Sequence, residues 1–265
     1  MITTDAVPGS PCWLDLGAPD PDTAAAFYGA VFGWEFRPMA EGGDGGYGEF
    51  RLDGGAVGGM GRLTEPGARS AWTLYYSVPG VEKTVADAER LGGTVRVPPA
   101  EMAGAGRMAQ LTDPQGGEFA VWEPGTFTGV EVADVPGSLC WTELYTTNAV
   151  DARAFYGALF GWTSTDMAMP GGGVYSMVTP SGQGDERMFG GIMELPSEYL
   201  ALAGGRPYWH PVFAVTDCDA AVARVTGNGG SVQMGPEDAE GVGRLAVCVD
   251  QAGADFVVLT PAGQG

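Results

Sequence analysis

Two short patterns in the chain carry side chains suited to chemistry. Trp13 and Asp15 lie two residues apart, and so do Trp141 and Glu143. In an extended chain, residues two apart face the same side. Each pair therefore sets an indole plate beside a carboxylate. The indole face attracts planar rings and cations, and a desolvated carboxylate serves as a charge partner or general base. The other reading of the same residues is two packing tryptophans and two carboxylates bonded to neighbouring backbone. His210 is the only histidine in the sequence. Imidazole titrates near neutrality, so His210 is the best single proton-transfer candidate, against the alternative of a hydrogen-bonded structural group. Thr73 and Tyr75 share one face of their strand, as His210 and Val212 do of theirs. The candidate set is thus His210 and Glu143 for catalysis, with Trp13, Asp15, Thr73, Tyr75, Trp141, Glu143 and His210 for ligand binding.

Other reactive residue types read as structural. Arg107 and Arg244 each follow a glycine and are placed to pin a carboxylate or a turn carbonyl. Cys12 and Cys140 precede the two tryptophans, so alternation turns them to the opposite face as small buried residues. Met167, Met169, Met177, Met188 and Met193 cluster in one stretch, as pocket lining or ordinary core. Residues 42–48, GGDGGYG, have no helix pattern behind them to bind phosphate and read as a loop over a cleft.

The elements that position these residues occur twice. Residues 9–34 and 137–162 align without gaps, with 14 of 26 positions identical. Cys12-Trp13 matches Cys140-Trp141, and FYGA at 27–30 matches 155–158. Downstream, Trp72 matches Trp209, Gly106-Arg107 matches Gly243-Arg244, and Asp113 matches Asp250. The chain is a duplication, with extra residues in copy two falling between 180 and 207. The expected domains are 1–128 and 129–265. In copy one, CWLDLGA alternates as a strand, DTAAAFYGAVF has helical spacing closed by Gly33, and EFRPM, YGEFRL and AVGGMGRL are short strands. AWTLYYSV, the helix VEKTVADAERLGG, TVRVPP, RMAQLTD and EFAVWEP then repeat that order. Each copy is βαβββ twice, and copy two follows suit.

The strand, the DTAAAFY helix, the FGW that ends it and the closing D-P-x-G-G-x-F-x-x-W-E-P resemble the vicinal oxygen chelate superfamily: glyoxalases, bleomycin-resistance proteins and extradiol dioxygenases. The tandem FYG-x-x-FGW resembles two-domain actinobacterial members described as hydroxylases. The resemblance implies an α+β fold of tandem glyoxalase-like domains, each two βαβββ units whose mixed sheets curl around a cleft.

It also implies a way to test for a metal. Metal-dependent members place a ligand on the first strand of each βαβββ unit and a Glu on the last. Those positions fall here on Trp13 and Trp141, on Thr73 and His210, and on Ala120 and Val257. An indole offers no lone pair to a metal, and an alkyl group offers no donor atom. Glu118, Asp255 and Glu194 stand nearby, and Gly58-Gly59 and Gly190-Gly191 occupy the fourth strands. A divalent metal thus has few of its ligands, and the expectation is a cleft without cofactor, with tryptophan where the family has histidine.

The 265 residues carry a net charge of −20, with 13 Lys and Arg against 33 Asp and Glu. That balance argues against nucleic-acid and membrane partners and favours cationic solutes. No apolar run reaches membrane-spanning length, no secretory signal pattern stands at the start, and four cysteines make no disulfide framework, so the expected compartment is the cytoplasm. The two copies are expected to pack as a monomeric pseudo-dimer or a homodimer. Two functions follow. One is metal-free binding of a small aromatic or cationic molecule. The other is a hydroxylase-, dioxygenase- or lyase-like enzyme using a divalent metal or acid–base chemistry at His210. In a third reading, copy one is mainly architectural support for copy two.

Overall fold

The computed structural model describes residues 1–39, 46–64, 69–169 and 172–263. The expectation for the 42–48 loop falls largely outside them. Copy one runs β1 (Pro11–Ala18), α1 (Pro21–Phe32), β2 (Glu35–Pro38), β3 (Gly48–Leu52), β4 (Gly55–Arg62), β5 (Ala71–Ser77), α2 (Val81–Arg90), β6 (Thr94–Glu101), β7 (Gly106–Thr112) and β8 (Glu118–Pro124). Copy two runs β9 (Leu139–Thr146), α3 (Ala149–Phe160), β10 (Thr163–Ala168), β11 (Val174–Thr179), β12 (Gly190–Glu194), β13 (Tyr208–Ala214), α4 (Cys218–Gly227), β14 (Ser231–Ala239), β15 (Gly243–Val249) and β16 (Asp255–Pro261). The extra residues of copy two form short 3-10 segments, Asp185–Arg187 and Ser197–Ala203, on either side of β12.

Each copy builds one eight-stranded mixed sheet. The strand orders are β2-β3-β4-β1-β5-β8-β7-β6 and β10-β11-β12-β9-β13-β16-β15-β14. The first and fourth strands of each βαβββ unit pair parallel, as β9 does with β12 and β13 with β16. The intervening strands pair antiparallel, as short Gly-rich turns require.

The helices start and stop where the sequence indicates. Pro21 opens α1 with its fixed φ, and Asn148 caps α3 by accepting the Asp151 N–H at 3.0 Å. Gly33 and Gly161 end these helices at φ 78 and 73, a left-handed geometry that disfavours any residue with a Cβ.

Compact packing does not follow the repeat. One unit contains Met1–Trp13, Thr73–Gly129 and Trp141–Trp209. The other contains Leu14–Trp72, Val130–Cys140 and His210–Gly265. Each unit thus takes a βαβββ from each copy. The helix tyrosine of the FYGA motif explains the exchange. In the first unit, Trp209 Nε1 donates to Tyr156 Oη at 2.8 Å, and Tyr156 donates to Asp113 at 3.0 Å. In the second, Trp72 Nε1 donates to Tyr28 Oη at 3.1 Å, and Tyr28 donates to Asp250 at 3.2 Å. Tyrosine and aspartate come from different copies in both. Burial, together with the neighbouring aspartate charge, pushes both phenols well up, so they remain neutral donors. Around them lie stacked and edge-on aromatic pairs, Tyr156 on Trp162 at 5.2 Å in one core and Tyr28 on Trp34 at 5.6 Å in the other.

The remaining reactive side chains are structural. All four cysteines are buried and free, and Cys12 and Cys140 contact the carbonyls of Tyr75 and Val212. Burial pushes the Cys218 thiol up to about 11 and the Cys248 thiol up to about 12. Arg107 pairs with Glu82 of α2, and Arg244 pairs with Asp219 of α4 at 2.6 Å. Both arginines therefore tie a helix start to a strand. Among the described residues, no helix is long and apolar enough to cross a membrane.

Candidate functional site

In the first unit, strand alternation places Trp141, Glu143 and Tyr145 of β9 on one face. The register extends that face across three more strands. Glu143 stands beside Gly191, Gly191 beside Met177, Met193 beside Tyr175, and Tyr175 beside Met167. Three of the five clustered methionines, Met167, Met177 and Met193, therefore share a face with Trp141 and Glu143. All five of these side chains are half-buried. The opposite face, with Thr142, Leu144, Ser176, Val178 and Ile192, is fully buried on the side where α3 packs. One side of this half-sheet is core, and the other presents apolar side chains to solvent.

A hydrogen-bonded chain crosses the presented face. Trp141 Nε1 donates to Tyr175 Oη at 2.7 Å, and Tyr175 donates to Glu143 Oε1 at 2.7 Å. Tyr145 Oη donates to Glu143 Oε2 at 3.3 Å, and its ring stands edge-on to Tyr208 at 5.6 Å. Burial and the Glu143 charge push the Tyr175 phenol well up, so it holds its proton. Tyr175 reaches Glu143 by lying across β12 at Gly191. A Cβ on Gly191 would overlap the Tyr175 ring. The sequence reading missed Tyr175. Its signal was a tyrosine after a Gly-rich turn in both copies, Tyr47 and Tyr175.

The second unit holds the copy-one counterpart. Tyr47 donates to Asp15 Oδ1 at 2.8 Å, over Gly59. So the carboxylates of both Trp–carboxylate pairs accept from tyrosine, an arrangement neither sequence reading anticipated. The rest of this face is charged. Glu49 pairs with Gly59 in register, and Arg51 on the same strand ion-pairs with Glu49 at 2.5 Å. Met39, whose N–H donates to the Tyr47 carbonyl at 3.1 Å, matches Met167, while Glu49 and Gly61 stand where copy two has Met177 and Met193.

The other candidates separate. Trp13 is buried in the first unit, edge-on to Phe127 at 4.8 Å, and Phe127 in turn meets Trp122. Thr73 is half-buried and Tyr75 buried on β5, where Tyr75 stands beside Ala120 of β8. His210 belongs to the second unit and is fully buried. Its Nδ1 lies 2.9 Å from Asp255 Oδ2. Parallel register of β13 and β16, with Val212 beside Val257, brings the pair together. Glu143 and His210, paired as catalysts in the sequence reading, thus fall in different units, each with its own partners.

The donor set does not fit the family's metal. Trp13 and Trp141 hold first-strand positions, and Ala120 and Val257 hold last-strand positions. Gly190 and Gly191 sit against Thr142 and Tyr175, which leaves no room for a longer side chain there. Glu194 accepts the Ala149 N–H at the start of α3, and Glu118 pairs with Arg96. Among the described residues, no three His, Cys, Asp or Glu side chains are grouped to hold a metal ion.

Comparison with known proteins agrees with this architecture. Residues 13–122 match the Glyoxalase-like domain, and residues 130–258 match the Glyoxalase/Bleomycin resistance protein/Dioxygenase superfamily. The anthracycline biosynthesis protein DnrV of Streptomyces peucetius is 36% identical over 271 residues, covering 97% of this chain and 94% of that protein. The chain belongs to the glyoxalase/bleomycin resistance protein/dioxygenase superfamily. The Mycobacterium tuberculosis protein CFP32 is also 36% identical, covering 97% of this chain and 96% of that one. Among solved structures, the 2,3-dioxygenase LapB of Pseudomonas sp. KL28 has a TM-score of 0.65 at 17% identity, covering 96% of this chain and 93% of that one. That likeness is one of fold.

Proposed function

We propose that this member of the superfamily binds a small planar aromatic molecule, without a metal, on the presented face of β9–β12. The observation that carries the reading is the half-buried Trp141, Glu143, Met167, Met177 and Met193 on one face of a half-sheet whose other face is core. Indole stacks on planar rings, and methionine adapts to their outline. The loss of ligand residues at the family's metal positions supports the same reading, as does the likeness to a protein named for anthracycline biosynthesis. Calorimetry against a panel of planar polycyclic compounds tests it. Saturable binding that Trp141→Ala weakens is the expected result, and no saturable binding across the panel ends the proposal.

A second reading rests on His210 and Asp255. Asp255 lies against Nδ1 and orients the imidazole, and an oriented imidazole is a residue type that transfers protons near neutrality. This reading gives acid–base chemistry without a metal. Unchanged turnover of a substrate by His210→Gln would end it.

A further inference from the structure

Copy one sets a ring of its own between two tryptophans. Residues 125–129 follow β8 as a strap, in which Phe127 is half-buried while Gly125, Thr126 and Thr128 are exposed. The Phe127 ring stands edge-on to Trp13 at 4.8 Å and to Trp122 at 5.9 Å. Edge-on pairs are the contacts that a bound benzenoid ring makes with indoles. We infer that Phe127 is a built-in occupant of a single-ring aromatic site between Trp13 and Trp122. A free benzenoid molecule takes that site only when the Phe127 ring leaves it. The two indoles that border the ring carry no charge, so the site suits a neutral ring.

The strap is fastened on both sides of the ring. The N–H groups of Gly125 and Phe127 both donate to the Ala105 carbonyl at 3.0 Å, and Thr126 Oγ1 donates to the Gly104 carbonyl at 3.1 Å. Trp122 Nε1 donates to the Phe127 carbonyl at 3.0 Å, so Trp122 holds the strap as well as touching its ring. Gly129 runs so close to β1 that a Cβ there would overlap the Cys12 carbonyl, and its φ of 130 favours glycine. These fastenings use the backbone, so they remain when the Phe127 ring is cut back. A tethered ring acts at high effective concentration and excludes a free ring of the same kind. Burial differs between the copies accordingly. Trp13 and Trp122 are buried, whereas Trp141 is half-buried. With Asp113 matched to Asp250, Leu259 stands where copy one has Trp122, and Gln264 where it has Phe127. Copy two thus has no ring at the strap position. The inference concerns copy one and does not depend on a ligand at β9–β12.

The test adds benzyl alcohol to the full chain labelled with 5-fluorotryptophan and reads it by fluorine NMR. Trp13→Phe and Trp122→Phe assign the two signals that matter. Phe127→Ala should give saturable shifts of both, with an affinity about tenfold or more above that of the unaltered chain. Cyclohexylmethanol should bind that variant about threefold or more weakly, since it has no aromatic edge or face for the indoles. Phe127→Gln sets in copy one the residue of copy two; it should behave alike, and it serves if Phe127→Ala does not fold. The same affinity in the unaltered chain overturns the inference, and so does equal affinity for cyclohexylmethanol. Absence of shifts in a variant whose remaining tryptophan signals keep their positions overturns it as well. Loss of folding in both variants would make Phe127 a packing residue and end the inference.

Discussion

Tyr175 meets Glu143 only because position 191 has no side chain. The added methyl of Gly191→Ala would overlap the Tyr175 ring, which is itself buried. The ring must leave its place, so the variant should lose about 1–3 kcal/mol of stability and break the Tyr175–Glu143 hydrogen bond. Gly59→Ala gives the contrast. Its methyl would meet Asp15 Oδ1 and Tyr47, but Tyr47 is 39% exposed and can swing outward. The expected cost there is under about 1 kcal/mol, and urea denaturation of both variants measures the difference. At this scale the sequence was partly legible. The Trp141–Glu143 pair followed from spacing alone, because period-two alternation is local. Tyr175 was not legible, since it lies across an intervening strand and only the register brings it to Glu143. The partner of His210 was equally hidden, because it depends on how β13 and β16 are aligned.

Secondary-structure elements are joined by side chains that repeat in both copies. Asp113 Oδ1 accepts the N–H groups of Gln115 and Gly117 at 2.8 and 2.9 Å, and Oδ2 accepts the Tyr156 hydroxyl. One buried carboxylate thus closes the turn between β7 and β8 and anchors α3. Burial raises its pKa, and its hydrogen bonds pull the other way. Removing it leaves a buried phenol and two turn amides without their acceptor. Asp113→Ala should therefore cost about 2–4 kcal/mol by urea denaturation. A cost below about 1 kcal/mol would show that the aspartate is not the anchor. Asp250 makes the corresponding bonds to Ala252, Ala254 and Tyr28, so the prediction carries over to Asp250→Ala. Both aspartates were visible in the sequence as matched positions, and so was the element order. The helix tyrosines they hold were visible too, but not the pairing.

At the scale of the whole molecule, duplication explains why the pairing could not be read. The copies resemble each other at the positions that pack, so Tyr28 suits Asp113 of its own copy as well as Asp250 of the other. The structure uses the other. A fragment of residues 1–128 therefore lacks the copy-two partner of α1, but it carries Asp113 as an equivalent. Such a fragment should associate as a homodimer in which each chain supplies the missing half, as light scattering would show. A folded monomer would contradict the exchange of halves. Divergence between the copies then separates their two faces. The copy-one half-sheet keeps the Tyr–carboxylate pair on a charged face, and the copy-two half-sheet sets it on a face of methionine and tryptophan. The net charge of −20 gives no site by itself, but it sets which ligands approach. The most direct measurement is a crystal structure of the full chain soaked with a planar polycyclic compound that shows saturable binding in calorimetry. The account predicts the ring system beside Trp141, over the methionine-bearing face of β9–β12. An ordered ligand elsewhere, with that face bare, would contradict it.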